Sequence, residues 1–385
     1  MRAVVTPVAT AAERPAPADG GGPRRPLPPE HPNTHMSFEF DYELLCELTE
    51  ARGVPGYEDE VREVVRREFV DRVDRVRSDA MGNVVGTIEG DSDYSVAVAA
   101  HMDEVGFMVR HVSDDGFVQV DPLGGFDARV LRAQRVTVHG DEDLTGVIGS
   151  VPPHTLTDEQ READDEVKDV FIDLGRDAET VADLVSVGDL VTLDQTTTRM
   201  GDRITGKALD DRVCLFAMLE AADRIEDPNV TVHLAATVQE EVGIRGATAL
   251  GVDIDPDLAI AMDVTVANDV PQIGASADAV TELGEGTAIK LKDSSVITSP
   301  KVHRRLTDAA EAAGIDHQHE VLPAGGTDTA GFQTTAGAKP VGAISVPTRY
   351  LHTVTEVADG GDVAATIDLL TAFLESETGE RDYSL

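Results

Sequence analysis

The sequence predicts an α/β protein in which a mixed central sheet carries helices on both faces and accepts a small inserted β-barrel-like domain. Three observations predict it. After Thr205, strand patterns alternate with helix patterns, as in a sheet covered by helices. Before that point, residues 94–100 are apolar enough for a sheet centre. From about Gly106 to Asp194 the texture changes to short β-like runs between Gly and Asp turns, with little helix signal.

Taken in order, residues 1–35 stand apart. They hold 8 of the 19 prolines, a Gly20-Gly21-Gly22 run and a net charge of +1, and they read as a disordered tail. Pro7 breaks the apolar stretch and Arg24-Arg25 leads into prolines, so this is a poor signal peptide, and Met36 reads as the true start. Residues 40–51 and 59–72 read as amphipathic helices separated by a Pro55-Gly56 turn. Residues 83–88 and 94–100 read as strands. Inside the insert, 117–120, 135–138, 169–174 and 190–193 are β-like, and the acidic stretch 157–166 reads as a solvated excursion. The later part gives a helix over 211–225, strands over 231–238 and 258–262, and a helix opened by Ser299-Pro300 and closed near Gly314. A strand over 341–345 and a helix over 362–375 complete the pattern. No internal repeat is evident.

The 385 residues carry 72 Asp+Glu against 32 Lys+Arg, a net charge of −40. That charge repels phosphate backbones and anionic lipid heads, which argues against nucleic-acid or membrane partners. No apolar run reaches the ~18 residues a membrane span needs. Cys46 and Cys214, both in helical-looking apolar stretches, read as reduced core thiols of a cytoplasmic protein. Only six of the basic residues are lysines. Excess carboxylate with little lysine resembles proteins of salt-loving archaea, where carboxylates keep the surface hydrated while salt screens their repulsion.

In such a sheet, function gathers at the loops leaving the strand ends. His101 and Asp103 follow one apolar run, and Asp210-Asp211 opens a helix. Glu240-Glu241, Asp263 and His352 follow three further runs. Each piece alone has an ordinary structural explanation: a hydrogen-bonded strand-end histidine, a helix cap, a solvated acidic pair. Together, two imidazoles and three carboxylates suit two divalent ions sharing one bridging carboxylate. Zinc or cobalt fits the histidine content better than magnesium. Glu240, beside a liganding carboxylate, suits a general base. Asp103 suits an outer role, accepting the spare N–H of His101.

Five ordered segments then resemble one family: Ala100-His101-Met102-Asp103-Glu104-Val105-Gly106, Ala208-Leu209-Asp210-Asp211-Arg212, Thr237-Val238-Gln239-Glu240-Glu241-Val242-Gly243, Met262-Asp263-Val264-Thr265 and Pro347-Thr348-Arg349-Tyr350-Leu351-His352. They are similar to the tetrahedral, or glutamyl-type, aminopeptidases, which are co-catalytic dinuclear metallopeptidases with a zinc-peptidase-like fold. The resemblance covers about residues 38–378. It implies two divalent ions per subunit, Asp210 as the bridge, and His101, Glu241, Asp263 and His352 as the other ligands. It also implies Glu240 as general base, Asp103 as the orienting aspartate, and Gly325, Gly326 and Thr327 in a loop near the substrate. Thr329 stands where alanine is more usual.

The resemblance further implies a catalytic domain of residues 36–106 and 196–378, an oligomerisation insert over 107–195 and a short tail over 379–385. Short peptides would be the substrates, and the assembly a homo-oligomer such as a tetrahedral dodecamer. A preference for acidic N-terminal residues would need a cation in the pocket, which Lys290, Arg245 or Arg349 could supply. Dinuclear amidohydrolases acting on acylated amino acids are the competing reading, opposed by the order of the motifs. A glycoside hydrolase is opposed by the absence of Trp and the 4% aromatic content, and a non-catalytic metal scaffold by Glu240. His303 reads as solvated, and His317 and His319 as surface or edge positions.

Overall fold

The computed structural model describes residues 38, 40–159, 166–271, 273 and 279–385. The expected tail over 1–35, the start at Met36 and most of the acidic excursion lie outside them. Phe38–Leu385 pack as one unit.

The helices are α1 (Tyr42–Glu50), α2 (Asp59–Val70), α3 (Ala178–Leu184), α4 (Leu209–Arg224), α5 (Arg245–Ile254), α6 (Pro300–Ala313), α7 (Asp328–Thr334) and α8 (Gly360–Glu375). An eleven-stranded sheet forms the centre. It contains β1 (Arg75–Ser78), β2 (Val84–Ile88), β3 (Ser95–His101), β10 (Thr198–Met200), β11 (Arg203–Gly206) and β12 (Thr231–Thr237). It also contains β13 (Leu258–Val266), β14 (Thr287–Lys292), β15 (His317–Val321), β16 (Val341–Arg349) and β17 (Glu356–Asp359). The order is β1-β2-β12-β3-β13-β16-β17-β11-β10, with β14 paired to β16 and β15 to β14. The middle four, β12-β3-β13-β16, are mutually parallel.

Both faces of this centre are covered. Val96, Val98 and Ala100 of β3 point into a large core with Val232, Leu234 and Ile260, against helices including α1, α4 and α8. The intervening Ala97 and Ala99 face a second core with Ala235, Ala259, Leu250 and Phe332, under α5 and α7. The two-residue alternation of a strand thus splits one continuous apolar run between two cores. Local signals set the helix ends. The Asp41 carboxylate caps α1, accepting from the N–H groups of Glu43 (3.0 Å) and Leu44 (3.1 Å). Pro300 starts α6, and Gly314 at φ +69° ends it.

The insert is a closed barrel. Its strands are β4 (Gly106–Val112), β5 (Val118–Leu123), β6 (Arg135–His139), β7 (Asp143–Ile148), β8 (Phe171–Asp173) and β9 (Leu190–Leu193), in the order β4-β5-β8-β7-β6-β9. It has its own core, built on Phe107, Val120, Leu131, Val138 and Ile172. In β7, buried Leu144, Gly146 and Ile148 alternate with exposed residues, the pattern of a wall facing solvent on one side. The barrel carries α3, and α5 follows the Glu240-Glu241 pair directly. Neither helix is expected from the sequence pattern, being short and, for α5, interrupted by glycines. Among the described residues no helix is long and apolar enough to cross a membrane.

Candidate metal centre

Because β12, β3, β13 and β16 run parallel, their carboxyl ends lie at one rim, where ligand chemistry gathers in such sheets. The register is direct: Thr237 pairs with His101, and Asp263 with Ser345. His101 therefore ends β3, Glu240 and Glu241 follow β12, Asp263 sits near the end of β13, and His352 follows β16.

Asp210 lies between the two imidazoles. One carboxylate oxygen is 3.2 Å from Nε2 of His101, and the other is 3.3 Å from Nε2 of His352. Glu241 Oε1 is 3.5 Å from the same Nε2 of His352. Two sets of possible ligand atoms converge within 4.8 Å: His101, Asp210 and Glu241, and His101, Asp211 and Asp263. The structure thus brings together all five residues singled out as ligands, and adds Asp211. Asp211 is fully buried and accepts the backbone N–H of His101 at 3.2 Å through Oδ2.

The backbone here is strained. Ala208, Gln239 and His352 all have left-handed φ, of 55°, 55° and 58°. Such conformations cost energy in non-glycine residues and gather where geometry is over-determined. Two buried carboxylates show what determines it. Asp103 accepts from the backbone N–H groups of Glu240 and Glu241, both at 3.0 Å. Glu356 accepts from those of Asp210 (3.0 Å) and His352 (2.8 Å). Each carboxylate fixes the main chain of two site residues at once.

The expected contact between Asp103 and His101 is corrected in its atoms. His101 Nδ1 bonds the backbone carbonyl of Asp103 at 3.0 Å, while the carboxylate is 3.6 Å away. The carboxylate is taken up by the Glu240-Glu241 turn. His352 Nδ1 likewise bonds a carbonyl, that of Gly125 in the insert, at 2.7 Å. Each imidazole thus presents Nε2 to the cluster.

The electrostatics follow from crowding carboxylates out of water. Burial raises the Glu240 carboxyl well above its usual range; His101 opposes this, and Asp263, Asp328 and Glu241 add to it. Burial pushes Glu241 up to about 7, with Asp210 adding. Burial also acts on Asp210, but the bonds to His101 and His352 outweigh it and hold that carboxyl below its usual range. Burial would lower His352, yet Asp210 and Glu241 push it up to about 10. Glu241 Oε1 and Asp211 Oδ1 are buried without a hydrogen-bond partner. Buried lone pairs, excess negative charge and two imidazole nitrogens form a donor set that fits divalent ions.

The sequence profile of the M42 glutamyl aminopeptidase family matches residues 82–369. The chain belongs to this family. The lysyl aminopeptidase of Pyrococcus furiosus is 35% identical over 346 residues, covering 87% of this chain and 97% of that one. Aminopeptidase APDkam598 from the archaeon Desulfurococcus kamchatkensis is 39% identical, with a TM-score of 0.83 over 88% of this chain and 95% of that one. The Pyrococcus horikoshii TET1 peptidase, which can assemble into a tetrahedron or a large octahedral shell, is 31% identical. Its TM-score is 0.77 over 87% of this chain and 99% of that one. Membership of the M42 family makes the chain a hydrolase of the aminopeptidase class.

In this M42 chain a cavity of about 1090 Å³ opens over the cluster, lined by His101, Asp210, Glu240, Glu241, Asp263 and His352 among others. Gly325 and Gly326 line it as well. Thr327 does not: it is buried and caps α7, accepting from the Thr329 N–H and donating to the Thr329 hydroxyl at 2.7 Å. The unusual Thr329 thus completes a reciprocal cap. None of the three candidate cations lines the cavity. Lys290 is buried against Glu320 Oε1 at 2.5 Å, and Arg349 is paired with Asp269. Arg245 starts α5 and is exposed. Glu356 escaped notice in the sequence because nothing in its neighbourhood marks it. Its position four residues after His352 is the one available cue.

Proposed function

We propose that this chain removes N-terminal residues from short peptides, with two divalent ions held by His101, Asp210, Glu241, Asp263 and His352. The observation that carries the reading is the placement of Asp210, with one oxygen toward each imidazole, as a shared ligand requires. Ions bound there would polarise the scissile carbonyl and make water more acidic, and the imidazole content favours zinc or cobalt. Glu240 is the general base. Asp103 accepts its backbone N–H and so fixes the main chain that carries it, and burial raises its carboxyl, which suits it to accept a proton from the attacking water and return it to the leaving amine. Asp210, held below its usual range by His101 and His352, keeps the negative charge that would hold cations and the free α-amine of a peptide, and Glu241 adds a buried carboxylate oxygen beside it.

The cavity wall supports a preference for neutral side chains. Val264, Val266, Val280, Leu322 and Leu351 line it, and among the described residues no lysine or arginine does. An acidic side chain would enter without a counter-charge. The likeness to the TET1 peptidase, which can assemble into a tetrahedron or a large octahedral shell, supports an oligomeric reading. At −40 per chain, assembly and stability call for salt, and full activity without added salt would contradict that requirement.

The decisive test is Glu240→Gln, assayed in molar KCl after metal removal and reloading. The expected result is unchanged bound metal with turnover lowered about 10²–10⁴-fold. Near-normal turnover would remove Glu240 from its role. Run on free and N-acetylated peptides, the same assay is expected to cleave only free ones, with leucyl above glutamyl substrates. Cleavage of blocked peptides would point to acyl-amino-acid chemistry instead.

A further inference from the structure

Away from the catalytic rim, three histidines that look unrelated in the sequence meet at the edge of the sheet. His317 and His319 lie two apart on β15, which pairs only with β14 among the described strands. Strand alternation puts them on one face, opposite Glu320, which is buried with Lys290. His303 comes from the first turns of α6. The His303 and His319 ring centres are 5.1 Å apart, and those of His317 and His319 are 5.9 Å apart.

We propose that His303, His317 and His319 form a peripheral site for one transition-metal ion that prefers imidazole, such as Zn²⁺ or Cu²⁺, separate from the catalytic cluster. The spacing fits. Two imidazoles bound to one tetrahedral ion at ~2.0–2.1 Å hold their ring centres about 5 Å apart. The hydrogen bonding of two of the three also fits. His317 Nδ1 bonds the carbonyl of Ile315 at 3.0 Å, which leaves Nε2 as the unprotonated ligand atom, as in metal-bound histidines. His303 Nε2 is buried without a hydrogen-bond partner, although the Ile289 backbone acts on the same imidazole, so this nitrogen is one that a cation could take up. Burial, His319 and Arg304 keep the His303 imidazole neutral, the form that coordinates. Among the described residues only the catalytic sets already bring three ligand atoms within 4.8 Å. The trio therefore closes by ring rotation, which exposed His319 is free to make. A site of imidazoles alone selects against magnesium and calcium, unlike the carboxylate-rich catalytic rim.

The test titrates protein carrying its catalytic ions with Zn²⁺ in molar KCl, and with Mg²⁺ as a control, counting bound metal by mass spectrometry after desalting. Wild type is expected to retain one more Zn²⁺ per chain than the His317→Ala/His319→Ala double variant. His303→Ala is expected to weaken that ion at least about tenfold. Peptide turnover is expected to be the same in all three. His319→Ala alone, at an exposed position, gives a variant whose folding is not at risk. Equal zinc counts in wild type and variants would overturn the site, as would extra uptake that Mg²⁺ reproduces, which would assign it to the acidic surface.

Discussion

The body of the sheet and the inserted barrel are built from the same strand chemistry and differ in what they bury. In the described part of the barrel, residues 106–193, the one buried polar side chain is Thr192. The body buries Glu58, Asp103, Asp211, Glu320, Glu356 and Asp362, among others. A buried carboxylate is costly unless something holds it. In the body it holds main chain: Asp103 and Glu356 as described, and Asp362, which accepts from Gly284 and Gly286, both at 2.8 Å. The barrel relies on an apolar core and gives the site a backbone carbonyl, that of Gly125. Charge is buried where backbone must be fixed.

The largest effect expected from breaking this contrast is at Asp210, the proposed shared ligand. Asp210→Ala leaves two imidazoles without their common carboxylate, and both bound metal and turnover should fall, turnover by about 10³-fold or more. Metal counting beside a peptide assay checks this, and full metal content would end the shared-ligand assignment. Next comes Glu356→Gln. An amide offers one acceptor and turns a donor toward the second N–H, so metal affinity should weaken about 10–100-fold in competition with a chelator. Unchanged affinity would reduce Glu356 to a packing residue.

A subtler effect is expected with pH. Burial pushes Asp362 up to about 7 from an ordinary 3.8. The folded protein therefore binds a proton that the unfolded chain has lost, and this group's contribution to stability declines as pH rises from about 4 to 7. Asp362→Asn is neutral throughout, so its melting temperature relative to wild type should climb across that window. A flat difference would show that the two glycine N–H bonds already offset the burial.

The smallest effect belongs to the barrel. Gly124 has φ +98°, and an added Cβ would come 2.7 Å from Val105 Cγ1. Gly124→Ala should cost about 1 kcal/mol or somewhat more in stability, read by denaturant unfolding, and change turnover only a few-fold through the neighbouring carbonyl that orients His352. A loss of metal as large as that of Glu356→Gln would make the barrel a partner in holding the ions and blur the contrast.

Much of this was legible in the sequence. The strands around the rim announce themselves as apolar runs, and the candidate ligands follow at their ends, so His101, Asp263 and His352 could be named with their elements. The barrel could be read from its turns. Its helix α3 and the helix α5 could not, because α3 has only seven residues and Gly246 and Gly251 interrupt the pattern of α5. The three edge histidines read as surface residues because two lie on a strand and the third on a helix, and no local pattern joins them.

The order of residues alone sets which positions are apolar every second or every fourth residue, and which carboxylates and imidazoles sit at the ends of those runs. Local periodicity and connectivity fix both. Folding in three dimensions is what places Asp210 between His101 and His352, turns Asp103 and Glu356 to the backbone, and brings three distant histidines to one edge. Those relations depend on parallel register and on packing between segments far apart in the chain, where hydrogen bonds a few ångströms long choose their partners.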